Sequence, residues 1–404
     1  MPYKKYKKNI RSLLINITLS LASLAAILAL SELSLRILKR FESSFPIPTA
    51  NTDNRSFHII LAGGSIAVGE PYDPKINLAK IVSYIYKKGG YKGNFKITLA
   101  AKKGYSLDRL MPIIKSALSK RPDAFILIAG TNEFLGTFGS NGECTEASEW
   151  IYRHLRFSAL YNFLHYRIER YRITKRPDHR KRRLFDSPIV CKDEWEYILS
   201  RYKHHLEGLA SFLKANMIPS IFIFPASNLK DFDPNRSIYR GKEKDIQLFK
   251  KHISCAKRLM AERRYKEAEM HLNRALAIDG RFSEALYAMG EAEMALGRER
   301  LALEYFLKAK NEDGFPWRAI EKEKKIMASV ARRYGVFFLD SEKAFISASR
   351  GFPIGDDYFY DAHHPRIRGY IIMALRAGEA LLPYVGRDVS IPSILPEDVL
   401  NYFH

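Results

Sequence analysis

Cysteine is scarce in this chain. The three residues in 404, Cys144, Cys191 and Cys255, have no metal-ligand spacing, which argues against a zinc-ribbon or zinc-finger core. Acidic residues are also in deficit, with 44 Asp and Glu against 66 Lys and Arg and a net charge of +22. No zinc-finger, RRM-like or helix-turn-helix signature accompanies that charge, so it does not read as a nucleic-acid interface. Part of it is concentrated in Arg153, Arg156, Arg167, Arg170, Arg172, Lys175, Arg176, Arg180, Lys181, Arg182 and Arg183. Such a stretch is either a solvated helical face or a stripe that rests on anionic head groups or attracts an acidic glycan. Cys144 and Cys191 flank it and in an oxidising compartment can close a bridge across it; Cys255 is left over and expected to be buried in a helix.

Charge is missing altogether from Ser12 to Ser31, a run rich in Leu, Ile and Ala. At ~1.5 Å per residue it is long enough to cross ~30 Å of hydrocarbon. Lys4, Lys5, Lys7, Lys8 and Arg11 precede it, favouring an amino terminus inside and the rest of the chain outside. The apolar pattern continues through Leu33, Leu35, Ile37 and Leu38, as in an uncleaved anchor. A cleaved signal peptide is the rival, because Ala29 and Ser31 are small residues before Glu32. Both readings export the remainder.

Beyond that segment, the apolar run Phe57 to Ala62 leads into Gly63-Gly64-Ser65-Ile66-Ala67-Val68-Gly69. A hydroxyl on a tight strand-to-helix turn needs glycine on the crowded side, so Ser65 is a candidate nucleophile; phosphate binding or simple backbone packing are the alternatives. Near the other end stands Asp361-Ala362-His363-His364-Pro365. A serine is a weak nucleophile until an imidazole takes its proton, and the imidazole needs a carboxylate to hold its tautomer. Asp361 and His364, three apart, have that chemistry; a solvated acidic turn beside a surface histidine is the bland reading. Gly104 follows the run Phe95 to Ala100, and Gly130-Thr131-Asn132-Glu133 follows Ala124 to Ala129. Both sit where a parallel sheet gathers ligand groups, although a turn glycine and a helix-capping asparagine are ordinary uses of Gly104 and Asn132.

In the order Ser65, Gly104, Asn132, then Asp361 with His364, these residues resemble the four blocks of the SGNH (GDSL-type) hydrolase family. The resemblance implies an α/β fold, a three-layer α/β/α flavodoxin-like parallel five-stranded sheet. It implies Ser65 as nucleophile, His364 as base and Asp361 as its orienter. Ser65 N–H, Gly104 N–H and the Asn132 side chain would form the oxyanion hole, with no metal or organic cofactor. One departure is that the family's first block usually reads Gly-Asp-Ser, whereas Gly64 stands here in place of the aspartate.

Further runs at Ile218 to Phe224 and Gly335 to Leu339, with helical periodicity over Glu194 to Asn216 and Ile320 to Arg333, bring the strands to five, alternating with helices. Ala268, Leu272 and Ala275 recur as Ala302, Phe306 and Ala309 at a spacing of 34 residues, with Gly290 where two helices approach. This resembles an all-α tetratricopeptide (TPR) insertion, the alternative being an ordinary helical hairpin. The expected organisation is a cytoplasmic tail (1–11), an N-terminal transmembrane anchor (12–38) and a linker (39–56). The hydrolase domain then occupies 57–142, 194–250 and 315–386, interrupted by a basic helical excursion (143–193) and the TPR-like insertion (251–314), with a tail at 387–404. The whole looks like a bacterial subgroup of membrane-anchored SGNH proteins with TPR insertions. In that subgroup the stretch Pro225 to Asp231 follows the fourth strand, which makes Asn228 and Arg318 candidate substrate contacts. The resemblance and the amino-terminal segment together imply an exported, single-pass inner-membrane serine esterase or acyl-transfer enzyme; its location makes O-acetylated envelope polysaccharide the first substrate class and a lipid ester the second, and the repeats suggest a protein partner or a lid over the site. The competing class is a non-catalytic envelope scaffold or glycan-binding protein.

Overall fold

The computed structural model describes residues 20–37, 56–135, 139–140, 154–155, 158–161, 163–164, 189–190, 192–386 and 388–403. The chain divides into two units, Met1–Ser44 with Glu146–Lys175 and Phe45–Thr145 with Arg176–His404. Residues 1–19, the linker over 39–55, Cys144, Cys191 and the named basic side chains between Arg153 and Arg183 lie outside the described residues.

In the first unit, Ser20–Ile37 forms a helix long and apolar enough to cross a membrane, with a mean hydropathy of 1.5. Near its end the Glu32 carboxylate accepts hydrogen bonds from Ser158 Oγ and from the N–H groups of Ala159 and Leu160, each at 2.8 Å, satisfying donors that open a helical turn.

In the second unit, five parallel strands form one sheet: β1 (Ser56–Gly63), β2 (Asn94–Ala101), β3 (Ala124–Ile128), β4 (Ser220–Phe224) and β5 (Phe337–Asp340), in the order β2-β1-β3-β4-β5. These are the five runs that the hydropathy pattern predicts. The central three, β1, β3 and β4, read as near-continuous apolar segments because helices cover both faces of the sheet there, while the edge strands β2 and β5 stay partly exposed. On one face Ile59 and Leu61 pack with Ile81 and Ile85 of the helix Leu78–Lys88 and with Tyr370 and Met373 of Ile367–Val385. On the other, Ile60 and Ala62 meet Leu110 and Ile114 of Leu107–Leu118, Leu206 and Leu209 of Lys192–Ala215, and Met327 and Val330 of Glu321–Tyr334. Each Ile, Leu, Val or Met among them, fully buried, contributes roughly 1.5–3 kcal/mol of transfer free energy. The result is a three-layer α/β/α arrangement. From β1 the chain runs outward to β2 and then returns to β3 on the other side, so the sheet has a switch point between β1 and β3, where open α/β sheets bind ligands.

Four helices, Ile246–Ala261, Tyr265–Ile278, Ser283–Ala295 and Glu299–Asn311, follow β4 and are joined by short turns. Ala268, Leu272, Ala275, Ala302, Phe306 and Ala309 are all buried, and the Phe306 ring lies where a Cβ on Gly290 would come within 2.8 Å of it. This segment does not enclose its own core completely. Leu286, Tyr287 and Phe306 join the hydrophobic cluster on one face of the sheet, and the buried Lys310–Glu342 ion pair ties Glu299–Asn311 to the helix after β5. Cys255 is a free, half-buried thiol in the first of these helices. A two-residue antiparallel pair, Gly139–Ser140 with Ile189–Val190, has no counterpart in the sequence pattern.

Candidate active site

β1 ends at Gly63, and Ser65 opens a four-residue helix, Ser65–Val68, so its side chain stands over the carboxyl edge of the sheet at the switch point. Asn132 arrives at the same edge from β3 and Gly104 from β2. Gly104 has φ +71°, a left-handed backbone that a side chain would strain, although nothing lies within 4 Å of where its Cβ would be. At Gly64 the constraint is space: a Cβ there would stand 2.4 Å from Asn132 Nδ2. The residue that departs from the expected Gly-Asp-Ser block is therefore the one whose missing side chain leaves room for the Asn132 amide.

The carboxyl-terminal block closes on these residues from the far end of the sequence. Tyr360 N–H donates to His364 O at 2.8 Å and Arg366 N–H to Tyr358 O at 2.7 Å, folding 358–366 into a tight loop. Within it Asp361 Oδ1 accepts the N–H groups of His363 at 3.0 Å and His364 at 2.9 Å, while Oδ2 lies 2.6 Å from His364 Nδ1. His364 Nε2 lies 2.7 Å from Ser65 Oγ. Burial pushes the Asp361 carboxyl up, but the bond to His364, the neighbouring His363 and the two backbone N–H groups outweigh it and hold the carboxyl well below the ordinary range. An ionised carboxylate can only accept, so Nδ1 carries the proton. In the neutral ring Nε2 then keeps its lone pair, and Ser65 Oγ–H donates to it.

Ser65, Gly104 and Asn132 line one cleft. Ser65 N–H lies in the first turn of its helix, where no intrahelical acceptor exists. Gly104 lines the same cleft, and the Asn132 amide spends one of its two N–H groups on Tyr105 O at 3.2 Å, leaving the other for a ligand. The cleft has a volume of about 660 Å³. Among the described residues no group of three or more His, Cys, Asp or Glu side chains is arranged to hold a metal ion.

Asn228 and Arg318 fall in different places. Asn228 lines the cleft, but its polar atoms are committed: Nδ2 donates to Asp356 Oδ1 at 2.8 Å and to Asp361 O at 3.3 Å, and Oδ1 accepts Asp231 N–H at 3.0 Å. Arg318 is not part of the cleft wall. It is 2 % exposed, and its Nη1 donates to the carbonyls of Phe232 at 2.6 Å and Asn228 at 2.9 Å. It supports the loop that carries Asn228 from beneath, and burial lowers its pKa against the opposing field of Asp313. His363, beside the base, is buried. Its ring lies 4.3 Å from that of His364 and edge-on to Trp317 at 5.6 Å, and burial followed by repulsion from His364 pulls its pKa down to about 3. Spacing alone assigned it nothing; Asp356, Tyr360 and Trp317, which also line the cleft, belong to no motif.

No protein-family profile and no curated protein matches the chain. It is similar to solved structures. An acetylxylan esterase from Geobacillus stearothermophilus is 12 % identical over 83 % of this chain and 97 % of that one, with a TM-score of 0.38. An alpha/beta hydrolase from the metagenome of Lake Arreo is 12 % identical over 82 % and 96 %, with a TM-score of 0.36. A GDSL-like lipase from Bacteroides thetaiotaomicron is 10 % identical over 86 % and 97 %, with a TM-score of 0.34. At such identities and scores these likenesses decide nothing about the chemistry, which rests on the chain's own geometry.

Glu133, next to Asn132, has a carboxyl that burial pushes up to about 8; the Leu107 N–H it accepts opposes that shift and Asp108 adds to it. Its proton is retained in the folded state and released on unfolding, where the ordinary value is 4.5. The stability it contributes is therefore full below pH 4.5, declines as pH rises and is lost above about pH 8. Unfolding free energies of Glu133→Gln from urea titrations should fall less steeply with pH than those of the unaltered protein between those limits, by up to ~1.4 kcal/mol per pH unit. An identical slope would show that Glu133 is ionised in the folded state.

Proposed function

We propose that the chain is a serine hydrolase of the SGNH type that acts on esters. The observation that carries this reading is the relay from Asp361 through His364 to Ser65, with contacts of 2.6 and 2.7 Å. Ser65 Oγ attacks the ester carbonyl carbon as His364 Nε2 takes its proton, and the carbonyl π electrons move to oxygen. Asp361 stabilises the resulting imidazolium and fixes its orientation. The oxyanion is met by Ser65 N–H, Gly104 N–H and the free N–H of Asn132. Collapse of the intermediate breaks the bond to the alcohol, which leaves with the proton from His364. Water, or a second hydroxyl in acyl transfer, then attacks the acyl-serine with His364 again as base, and Ser65 regains its proton.

Ser65→Ala should abolish turnover of p-nitrophenyl acetate by purified residues 41–404. Asn132→Ala should lower kcat about a hundredfold, because one oxyanion donor is worth ~3 kcal/mol in the transition state. Equal hydrolysis with and without Ser65 would overturn the assignment. Gly64→Ala should lower kcat by about tenfold or more with little change in KM, because its methyl group would displace the Asn132 amide; wild-type kcat would show that Asn132 needs no such room.

We further read the amino-terminal segment as an inner-membrane anchor that holds the hydrolase domain outside the cytoplasm. The four helices between β4 and β5 serve as a TPR-like module for a protein partner, and an O-acylated envelope glycan is the substrate class in reach. Support comes from the uncharged run Ser12 to Ser31 behind Lys4 to Arg11 and from the helix Ser20–Ile37. Alkaline phosphatase fused after residue 56 should be active and green fluorescent protein at the same site dark. The opposite pair of results would reject the topology.

A further inference from the structure

Hydrogen bonds alone leave the base one freedom. His364 Nδ1 lies 2.6 Å from Asp361 Oδ2, and Nε2 lies 2.7 Å from Ser65 Oγ. A planar ring held at two edge atoms can still rock about the line that joins them, and packing against a ring face is what limits such rocking. The neighbour that packs there is His363. Its ring centroid lies 4.3 Å from that of His364, with the two planes inclined at 42°.

His363 does not hold this position unaided. The Trp317 ring meets it edge-on at 5.6 Å and 78°, and the Phe232 ring meets Trp317 at 6.1 Å and 60°. The three rings come from three segments: Phe232 from the loop after β4, Trp317 from the approach to the helix Glu321–Tyr334, and His363 from the loop before Ile367–Val385. Backbone groups tie those segments together. Arg318 Nη1 donates to Asn228 O and Phe232 O, Asn228 N–H to Ala362 O at 2.9 Å, and His363 N–H to Asp361 Oδ1 at 3.0 Å. His363 is 1 % exposed, and its Nδ1 has no hydrogen-bond partner among the described residues, so its ring rather than that nitrogen makes the contact. Burial, then repulsion from His364 and Arg318, outweighs the attraction of Asp361 and pulls its pKa down to about 3. The ring is therefore neutral when His364 takes the serine proton. A neutral aromatic ring attracts the imidazolium that forms, where a second cation would repel it.

We infer that His363 is a positioning residue for ester cleavage: its ring, backed by Trp317, fixes the tilt of the His364 imidazole and packs against the imidazolium as it forms. The inference rests on the hydrolase reading for its kinetic consequence, whereas the fixed tilt is a property of the resting protein. The charge on His364 develops only as the proton is transferred, so the contact strengthens in the transition state and not on substrate binding. Loss of the ring therefore lowers kcat and leaves KM nearly unchanged.

The test makes two variants of the full chain purified in detergent. His363→Leu keeps apolar bulk without a ring; His363→Phe keeps a ring and removes the unpaired nitrogen. With p-nitrophenyl acetate, and with kcat taken per folded molecule from each variant's urea unfolding curve, His363→Leu should lower kcat about tenfold with KM within about twofold. His363→Phe should restore kcat to within about threefold of the unaltered protein. Unchanged kcat in His363→Leu, or an equal loss in both variants, overturns the inference. A second readout needs no turnover: the His364 Nδ1 proton, held against Asp361 over 2.6 Å, gives a far-downfield NMR signal. If the unaltered protein cleaves no ester, the hydrolase reading fails and this signal decides the positioning role. Its presence in the unaltered protein and His363→Phe, with loss in His363→Leu, upholds that role. A signal as sharp in His363→Leu, or none in the unaltered protein, overturns it.

Discussion

The 2.7 Å contact between Ser65 Oγ and His364 Nε2 joins residues 299 apart in sequence, and the candidate chemistry depends on it. Neither group is reactive alone. The serine needs the imidazole lone pair, and the imidazole presents that lone pair because Asp361 fixes the proton on the other nitrogen. What brings the ends of the chain together is the sheet, whose parallel strands direct every β-to-α turn to the same edge. β1 delivers Ser65, β2 delivers Gly104, β3 delivers Asn132, and the loop before the helix Ile367–Val385 delivers Asp361 and His364.

That convergence is held by groups outside the relay. Asn228 reaches from the loop after β4 to the carbonyl of Asp361, and Arg318 supports the Asn228 loop from below through two carbonyls. The same loop receives the Tyr287 hydroxyl at Lys230 O, which links the helices inserted between β4 and β5 to the floor of the cleft. These helices share core residues with the sheet. A change in their packing thus has a physical route to the loop beside Asp361, through bonds that each join a side chain to a backbone carbonyl.

Much of this was legible in the sequence, for reasons that differ by element. The three central strands, β1, β3 and β4, are buried on both faces, so each leaves an apolar run that needs no partner to be recognised; β1, with Ile59 to Ala62 fully buried, is the clearest. Ser65 and the Asp361-to-His364 spacing were legible because a nucleophile turn and a three-residue offset are local patterns. The part played by Gly64 was not, since the space it leaves is filled by Asn132 from another strand. Arg318 was read as facing substrate, but a polar residue after a loop does not reveal whether it lines a cleft or props one up. Glu70, Asp231 and Asp356 went unread for a related reason: they are scattered in the sequence, and only the fold collects them at the cleft.

The central claim is that Ser65 is a hydroxyl activated by His364. Fluorophosphonate labelling followed by peptide mass spectrometry tests it most directly. A single adduct on Ser65 in the unaltered protein, almost wholly lost in His364→Ala, is the predicted result. No adduct on Ser65, or equal labelling of both proteins, would contradict it.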